Sequence, residues 1–154
     1  AAVDIGGAGG TNFIAIDTSR TGQKLPDELL TWGIPTAASA LEAQEVLPPQ
    51  TGLIVSGGVR SSLDAAKALA IGAVAVGIAT PVLRQTEQSG VAEAVLWVEQ
   101  YLNNLKKLAL LLGRRSVSEL RRQPMVIGGK TADWLSARGV AAEKYARRNL
   151  AEER

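Results

Sequence analysis

The stretch GLIVSGGVRSSLDAAKALAIGAVAVGIA (residues 52–79) decides the fold. It opens on a short apolar run, GLIVS (52–56), that breaks into two glycines. Ser61 and Asp64 then stand three apart in the S-S-L-D spacing of a capping box, which starts a helix at 62–71. Leu63, Ala66, Leu69 and Ala70 fall on the side that such a helix would bury. Gly72 sits where a helix ends in the left-handed conformation. A second apolar run, AVAVGI (73–78), follows, and Thr80 and Pro81 open another helix with proline in its tolerated first turn. Uninterrupted apolar strands that alternate with helices indicate parallel pairing with both faces of the sheet covered.

The same pattern extends upstream. AAVDIGG (1–7) reads as a short buried strand that ends in glycines, and GGAGGTNF (6–13) as the loop at its C-terminal end. Residues 17–35 carry Gly22, Pro26 and Pro35 and read as an irregular excursion with a helical turn near 27–30. Thr36 is a candidate N-cap for a helix to about Val46, with Ala37, Ala40, Leu41 and Ala43 on its buried side, and Pro48 and Pro49 stop it. The chain begins inside an element, without an initiator methionine, which points to a piece of something longer.

Downstream, Ser89 caps the longest helix, 91–112, along which Val91, Val95, Val98, Leu102, Leu105, Ala109 and Leu112 form one apolar stripe ended by Gly113. A second capping pattern, S-V-S-E (116–119), starts a short helix. PMVIGG (124–129) reads as an apolar turn or short strand, 131–138 as one more helix, and the residues from about Ala141 as frayed or weakly helical. The organisation is thus an α/β region over residues 1–113 and a helical extension over 114–154. Three parallel strands do not close a barrel, but they make a plausible piece of one.

Composition removes several function classes. The 154 residues contain neither cysteine nor histidine, so disulfides, thiolate metal sites, histidine metal sites and Ser-His-Asp triads cannot come from this chain alone. Aromatic residues make up 4%, too few for a base-stacking surface, so no nucleic-acid partner is expected. No apolar run approaches the roughly 20 residues that span a bilayer, and no basic segment precedes an apolar one as in a signal peptide. A cytoplasmic protein without membrane partners is the expectation. The net charge of +2 is unevenly spread: 1–113 carry a net −3 and 114–154 a net +5. The basic residues of the tail are interleaved with acids, which reads as a solvated helical tail.

Chemistry is expected at the glycine clusters, because α/β folds place their sites at the C-terminal ends of strands. GGAGGT (6–11) either lets a flat or anionic ligand approach the backbone, with the Thr11 hydroxyl as a donor, or is simply a tight strand exit. In SGGVRSS (56–62), Gly57 and Gly58 offer backbone N–H groups just before a helix and Arg60 adds a fixed positive charge. Together these make an anion cradle, unless Arg60 instead pairs with a surface carboxylate. In VGIATPVL (76–83), Ala79 and Thr80 lie at a second helix start, one βα unit further on. Two successive helix starts of this kind fit a phosphate held between neighbouring barrel loops.

These segments resemble, in order, the C-terminal half of the type 2 isopentenyl-diphosphate isomerase family. The resemblance rests on VDIGGAGGTNF, WGIPTAASALE, SGGVRSSLDAAKALAIGA and VGIATPVL, and continues through LNNLKKLALLLGRRSVSELR and VIGGKTADWLSARG, about residues 1–140. It implies that the fold is the C-terminal part of a TIM (β/α)8 barrel, strands six to eight, and that the cofactor is FMN. It implies a flavin contact at Thr11, a phosphate site at Gly57, Gly58, Val59 and Arg60, and its completion by Ala79 and Thr80. It implies an isomerase that interconverts isopentenyl diphosphate and dimethylallyl diphosphate in isoprenoid biosynthesis, using reduced FMN, NADPH as reductant of the flavin, and a magnesium ion (Mg2+). The metal site and most groups that hold the small-molecule diphosphate would lie outside this chain, so the chain alone is expected to be inactive. Catalytic residues are not assigned. Asp17 departs from the family, which often has glutamate there ahead of an arginine matching Arg20.

Two other readings stay open from the residues. One is an FMN-dependent oxidoreductase of another barrel family, which shares the phosphate loops. The other is a non-catalytic half-barrel whose open strand edges make it self-associate, so a homo-oligomer is expected.

Overall fold

A computed structural model describes residues 1–148. Three strands, β1 (Ala2–Gly6), β2 (Gly52–Ser56) and β3 (Ala75–Val76), form one parallel sheet in the order β1-β2-β3. Ala2 pairs with Gly52 and Gly6 with Ser56, while Val55 pairs with Val76, so all three strands end at one edge of the molecule. The crossovers carry α1 (Phe13–Thr21), α2 (Asp27–Leu30) and α3 (Thr36–Val46) between β1 and β2, and α4 (Ser62–Ile71) between β2 and β3. Then come α5 (Thr80–Leu111), α6 (Val117–Leu120), α7 (Gly129–Ala137) and α8 (Glu143–Ala146).

β2 is the centre of the core. Leu53 and Val55 are buried while Ile54 between them is only half-buried, so one face of the sheet is covered and the other is open. The covering side chains are Ala40 and Leu41 of α3 and Ala68 and Ile71 of α4. The expectation of a sheet covered on both faces is therefore corrected, and so is the buried reading of β1, where Val3 is 42% exposed and only Ile5 is half-buried. The physical reason is position: β1 and β3 each have β2 on one side and no strand on the other among the described residues.

Local signals explain most element bounds. Ser61 accepts from the Asp64 N–H at 3.1 Å and Asp64 accepts from the Ser61 N–H at 3.0 Å, a complete capping box for α4. Gly72 ends α4 at φ 132°. α5 is two helices joined at Gly90, whose φ of 85° breaks the helical path next to the expected cap Ser89. The third strand is shorter than the apolar run 73–78: Val74 and Gly77 still donate to the carbonyls of Leu53 and Val55, but only Ala75–Val76 holds strand form beside an unpaired outer edge.

Burial departs from the helical stripes in three places. Ala38 is buried and Ala37 exposed, because α3 begins at Thr36 behind Pro35 and is rotated accordingly. Leu63 is exposed, since Ser62 takes the inward position and its hydroxyl donates to the Tyr101 carbonyl at 2.9 Å. On α5 the inward residues are Ala94, Trp97, Tyr101 and Leu105, leaving Val91, Val95, Leu102 and Leu112 of the apolar stripe exposed.

The C-terminal helices are tied into the same core. Leu135 and Tyr145 cluster with Leu41, Leu53 and Ile71, and PMVIGG forms no strand but packs Met125 and Ile127 against that cluster. α8 is a formed turn around a fully buried tyrosine rather than a frayed end, because the Tyr145 carbonyl accepts from the Met125 N–H at 3.1 Å. The rest of that stretch, 149–154, lies outside the described residues. The basic tail is also not merely solvated. Arg121 donates to the Gly72 carbonyl at 3.0 Å, Arg148 donates to the Ala70 and Ile71 carbonyls, and Arg138 pairs with Glu42 at 2.9 Å. Two guanidiniums thus satisfy carbonyls that the C-terminus of α4 would otherwise leave without partners.

Candidate functional site

A hollow of about 450 Å³ opens at the C-terminal ends of the three strands. It is lined by Thr11 from the loop after β1, by Gly57, Gly58, Val59 and Arg60 from the loop after β2, and by Ala79 and Thr80 from the loop after β3. The seven residues singled out from the sequence therefore meet around one space. Asp4, Ser56, Phe13 and Gly77 also line it, and none of these was singled out. Ser56 donates to Asp4 at 2.8 Å, which joins the ends of β1 and β2 beside the hollow.

The loops explain what the lining can offer. Gly57 and Gly58 have φ values of 91° and 80°, a conformation that side chains oppose. The N–H groups of Gly58 and Val59 donate to no protein acceptor among the described residues. Val59 contributes only its backbone, since its side chain is buried against Ala65 and Tyr101. On the other side, α5 begins at Thr80 with no side-chain cap: Leu83 donates to the Ala79 carbonyl at 3.0 Å, but the N–H groups ahead of it keep no intrahelical acceptor, and Pro81 has none to satisfy. A helix that starts this way favours negative charge at its end. Arg60 is exposed and has no carboxylate partner among the described residues, so the surface-pair reading of its side chain does not hold here.

The glycines of the two loops serve each other as much as any ligand. A Cβ on Gly58 would lie 2.6 Å from the Gly9 carbonyl oxygen, and one on Gly10 would lie 2.7 Å from the Gly57 Cα. Backbone packs on backbone, and this close approach holds the two loops against each other. The helix α1, by contrast, forms where the sequence predicts loop and irregular chain. Asn12 caps it by accepting from the Ala15 N–H at 3.0 Å and also donates to the Leu30 carbonyl. α1 buries no residue; its first residue, Phe13, is 78% exposed and Trp32 is 80% exposed. Asp17 and Arg20 are exposed on α1 and line neither this hollow nor the groove beside it.

Asp64 holds the N-terminal end of α4 under the hollow. Burial acts to raise its pKa, but hydrogen bonds from the Ser61 hydroxyl and from the N–H groups of Arg60 and Ser61, with the charge of Lys67, outweigh that and hold it below the ordinary value. A carboxyl lowered on folding contributes stability above its unfolded pKa and loses it as pH falls through the folded value. Asp64→Asn is therefore expected to cost roughly 0.3–1 kcal/mol at neutral pH. Denaturant titrations should show the gap to the unaltered chain closing below about pH 4. A gap independent of pH would contradict the capping role.

Among the described residues no group of three or more Asp or Glu side chains comes together as a metal site. No helix among them is long and apolar enough to cross a membrane.

Comparison with known sequences adds two findings. The pattern of a family described as FMN-dependent dehydrogenase matches residues 31–127, which include the loops after β2 and β3. Among curated proteins, the isopentenyl-diphosphate delta-isomerase of Methanothermobacter thermautotrophicus is 42% identical over 149 residues, covering 96% of this chain and 42% of that protein. The protein of the same name from Symbiobacterium thermophilum is 42% identical over 149 residues and covered to 41%, and that from Methanopyrus kandleri is 39% identical over 146 residues and covered to 39%. The chain thus spans about two fifths of the length of these relatives.

Proposed function

This chain belongs to the FMN-dependent dehydrogenase family, and on that premise we propose that it is the flavin-phosphate-binding C-terminal part of an FMN-dependent isopentenyl-diphosphate delta-isomerase. One observation carries the reading: the two loops whose amides lack protein acceptors line a single hollow at the C-terminal edge of a parallel sheet. The identity to the isomerases, spread over nearly the whole chain, supports the choice of reaction within the family.

In this reading β1, β2 and β3 are strands six, seven and eight of a TIM barrel. The open edges of β1 and β3 and the uncovered face of the sheet support an incomplete barrel, with the missing strands in the remainder of a longer protein. The amides of Gly58, Val59, Ala79 and Thr80 would hold the phosphate, with Arg60 balancing its charge and Thr11 reaching the flavin. Bound FMN, reduced through NADPH, would supply the acid and base that move a proton between the two ends of an allyl unit without net redox change. This chain's own share is to bind and orient. In this reading Mg2+ and the diphosphate of the substrate would be held mainly by groups from outside this chain. We assign the protein to the cytoplasm and to a homo-oligomer, for which the exposed Val91, Val95, Leu96 and Leu102 on α5 offer an apolar face.

The test is product analysis on the full-length protein with isopentenyl diphosphate, Mg2+, FMN and NADPH under anaerobic conditions. Dimethylallyl diphosphate formed only when flavin is present and reduced is the expected result. Flavin turnover in which NADPH is oxidised stoichiometrically as a 2-oxo acid is reduced to the hydroxy acid, with no dimethylallyl diphosphate formed, would favour the oxidoreductase reading instead.

A further inference from the structure

Thr36 joins the two glycine loops through one atom. It is the first residue of α3, behind Pro35, and its hydroxyl does not cap its own helix. Instead Oγ1 donates to the Gly57 carbonyl at 2.7 Å and accepts from the Gly9 N–H at 3.3 Å. The packing is equally close: a Cβ on Gly7 would lie 2.4 Å from the Thr36 Cα. Thr36 is partly buried and does not line the hollow.

The Gly57 carbonyl and the Gly58 N–H belong to one planar peptide unit and point in opposite directions. Holding the carbonyl on the α3 side therefore sets the direction of the Gly58 N–H, one of the amides without a protein acceptor. Between two glycines at φ 91° and 80° this peptide has little steric preference of its own, so a hydrogen bond at one end decides its orientation.

We propose that Thr36 is a positioning residue: its hydroxyl fixes the Gly57–Gly58 peptide so that the Gly58 N–H is presented to the phosphate of the bound nucleotide. This rests on the flavin-phosphate reading of the hollow. The test compares FMN with riboflavin, which lacks the phosphate, by fluorescence titration of the full-length apoprotein. Thr36→Val keeps the shape and removes the hydroxyl, and it should weaken FMN about tenfold, the scale of one hydrogen bond. Riboflavin affinity should stay unchanged, and Thr36→Ser should bind FMN within about twofold of the unaltered protein. Thermal midpoints of the apoproteins are measured alongside. If Thr36→Val does not fold, Thr36→Ala carries the same ratio test. An FMN-to-riboflavin ratio unchanged by loss of the hydroxyl, or a serine variant as weak as the valine one, overturns the role of Thr36 alone. An unaltered protein that binds FMN no more tightly than riboflavin overturns the phosphate site and the clamp together.

Discussion

Full-length protein that carries Gly58→Val is expected to purify without flavin. At φ 80° a branched side chain costs roughly 1–3 kcal/mol in backbone strain alone. Its Cβ would also lie 2.6 Å from the Gly9 carbonyl oxygen and 2.8 Å from the Gly9 Cα, and backbone cannot yield as a flexible side chain can. The loops after β1 and β2 must then part, which carries the Gly58 and Val59 amides away from the first turn of α5. A phosphate held between them loses one wall, and a loss of about a hundredfold or more in FMN affinity is expected. Bound flavin per protein, read from the visible spectrum, measures this. Gly58→Ala should fall between the two, and circular dichroism should show both variants folded. A folded Gly58→Val protein with its full flavin content would contradict the cradle.

Tyr145→Ala is expected to cost roughly 3–5 kcal/mol, the range for loss of a buried aromatic side chain. The ring is 0% exposed and packs in the cluster that contains Leu41, Leu53 and Leu135. The Arg148 guanidinium lies 4.4 Å from its centroid and, through its own bonds to the end of α4, depends on the ring for its place. Such a loss is a large part of the stability of an ordinary domain. Tyr145→Phe separates ring from hydroxyl. Among the described residues the hydroxyl is buried with no hydrogen-bond partner, so its removal should leave stability unchanged or raise it slightly. Burial, and then the Glu45 charge, push its pKa up to about 12. A pKa raised on folding means the folded state keeps its proton longer, so stability is complete below pH 10 or so and falls as pH climbs towards the folded value. Denaturant midpoints between neutral and alkaline pH should show that decline in the unaltered chain and less of it in Tyr145→Phe. A Tyr145→Ala protein as stable as the parent would show that the C-terminal helices add nothing to the core.

Much of this architecture could be read from residue order because its punctuation is local. The Ser61–Asp64 box, the stop at Gly72 and the Thr80–Pro81 start are each set within a few residues, so α4 matches its expected bounds of 62–71. The hollow could be anticipated for the same reason: parallel strands with short exits bring their C-terminal loops to one edge. Burial was harder, since it depends on neighbours far along the chain. β1 has an apolar sequence but is an edge strand with only Ile5 half-buried, and α8 looks weak on propensity yet is held by the burial of Tyr145. α1 escaped notice because Asn12 caps it without a capping-box partner and its apolar residues stay exposed. Thr36 departs from its local pattern for a simpler reason. Its type and place suit an N-cap, but its hydroxyl spans 21 positions to Gly57, and no local pattern announces such a bond.

The most direct measurement is a crystal structure of the full-length protein with FMN bound. The phosphate oxygens should lie about 3 Å from the backbone nitrogens of Gly58 and Val59 and from those at Ala79 and Thr80. A phosphate held elsewhere, with these amides bonded to protein or solvent instead, would contradict the site proposed here.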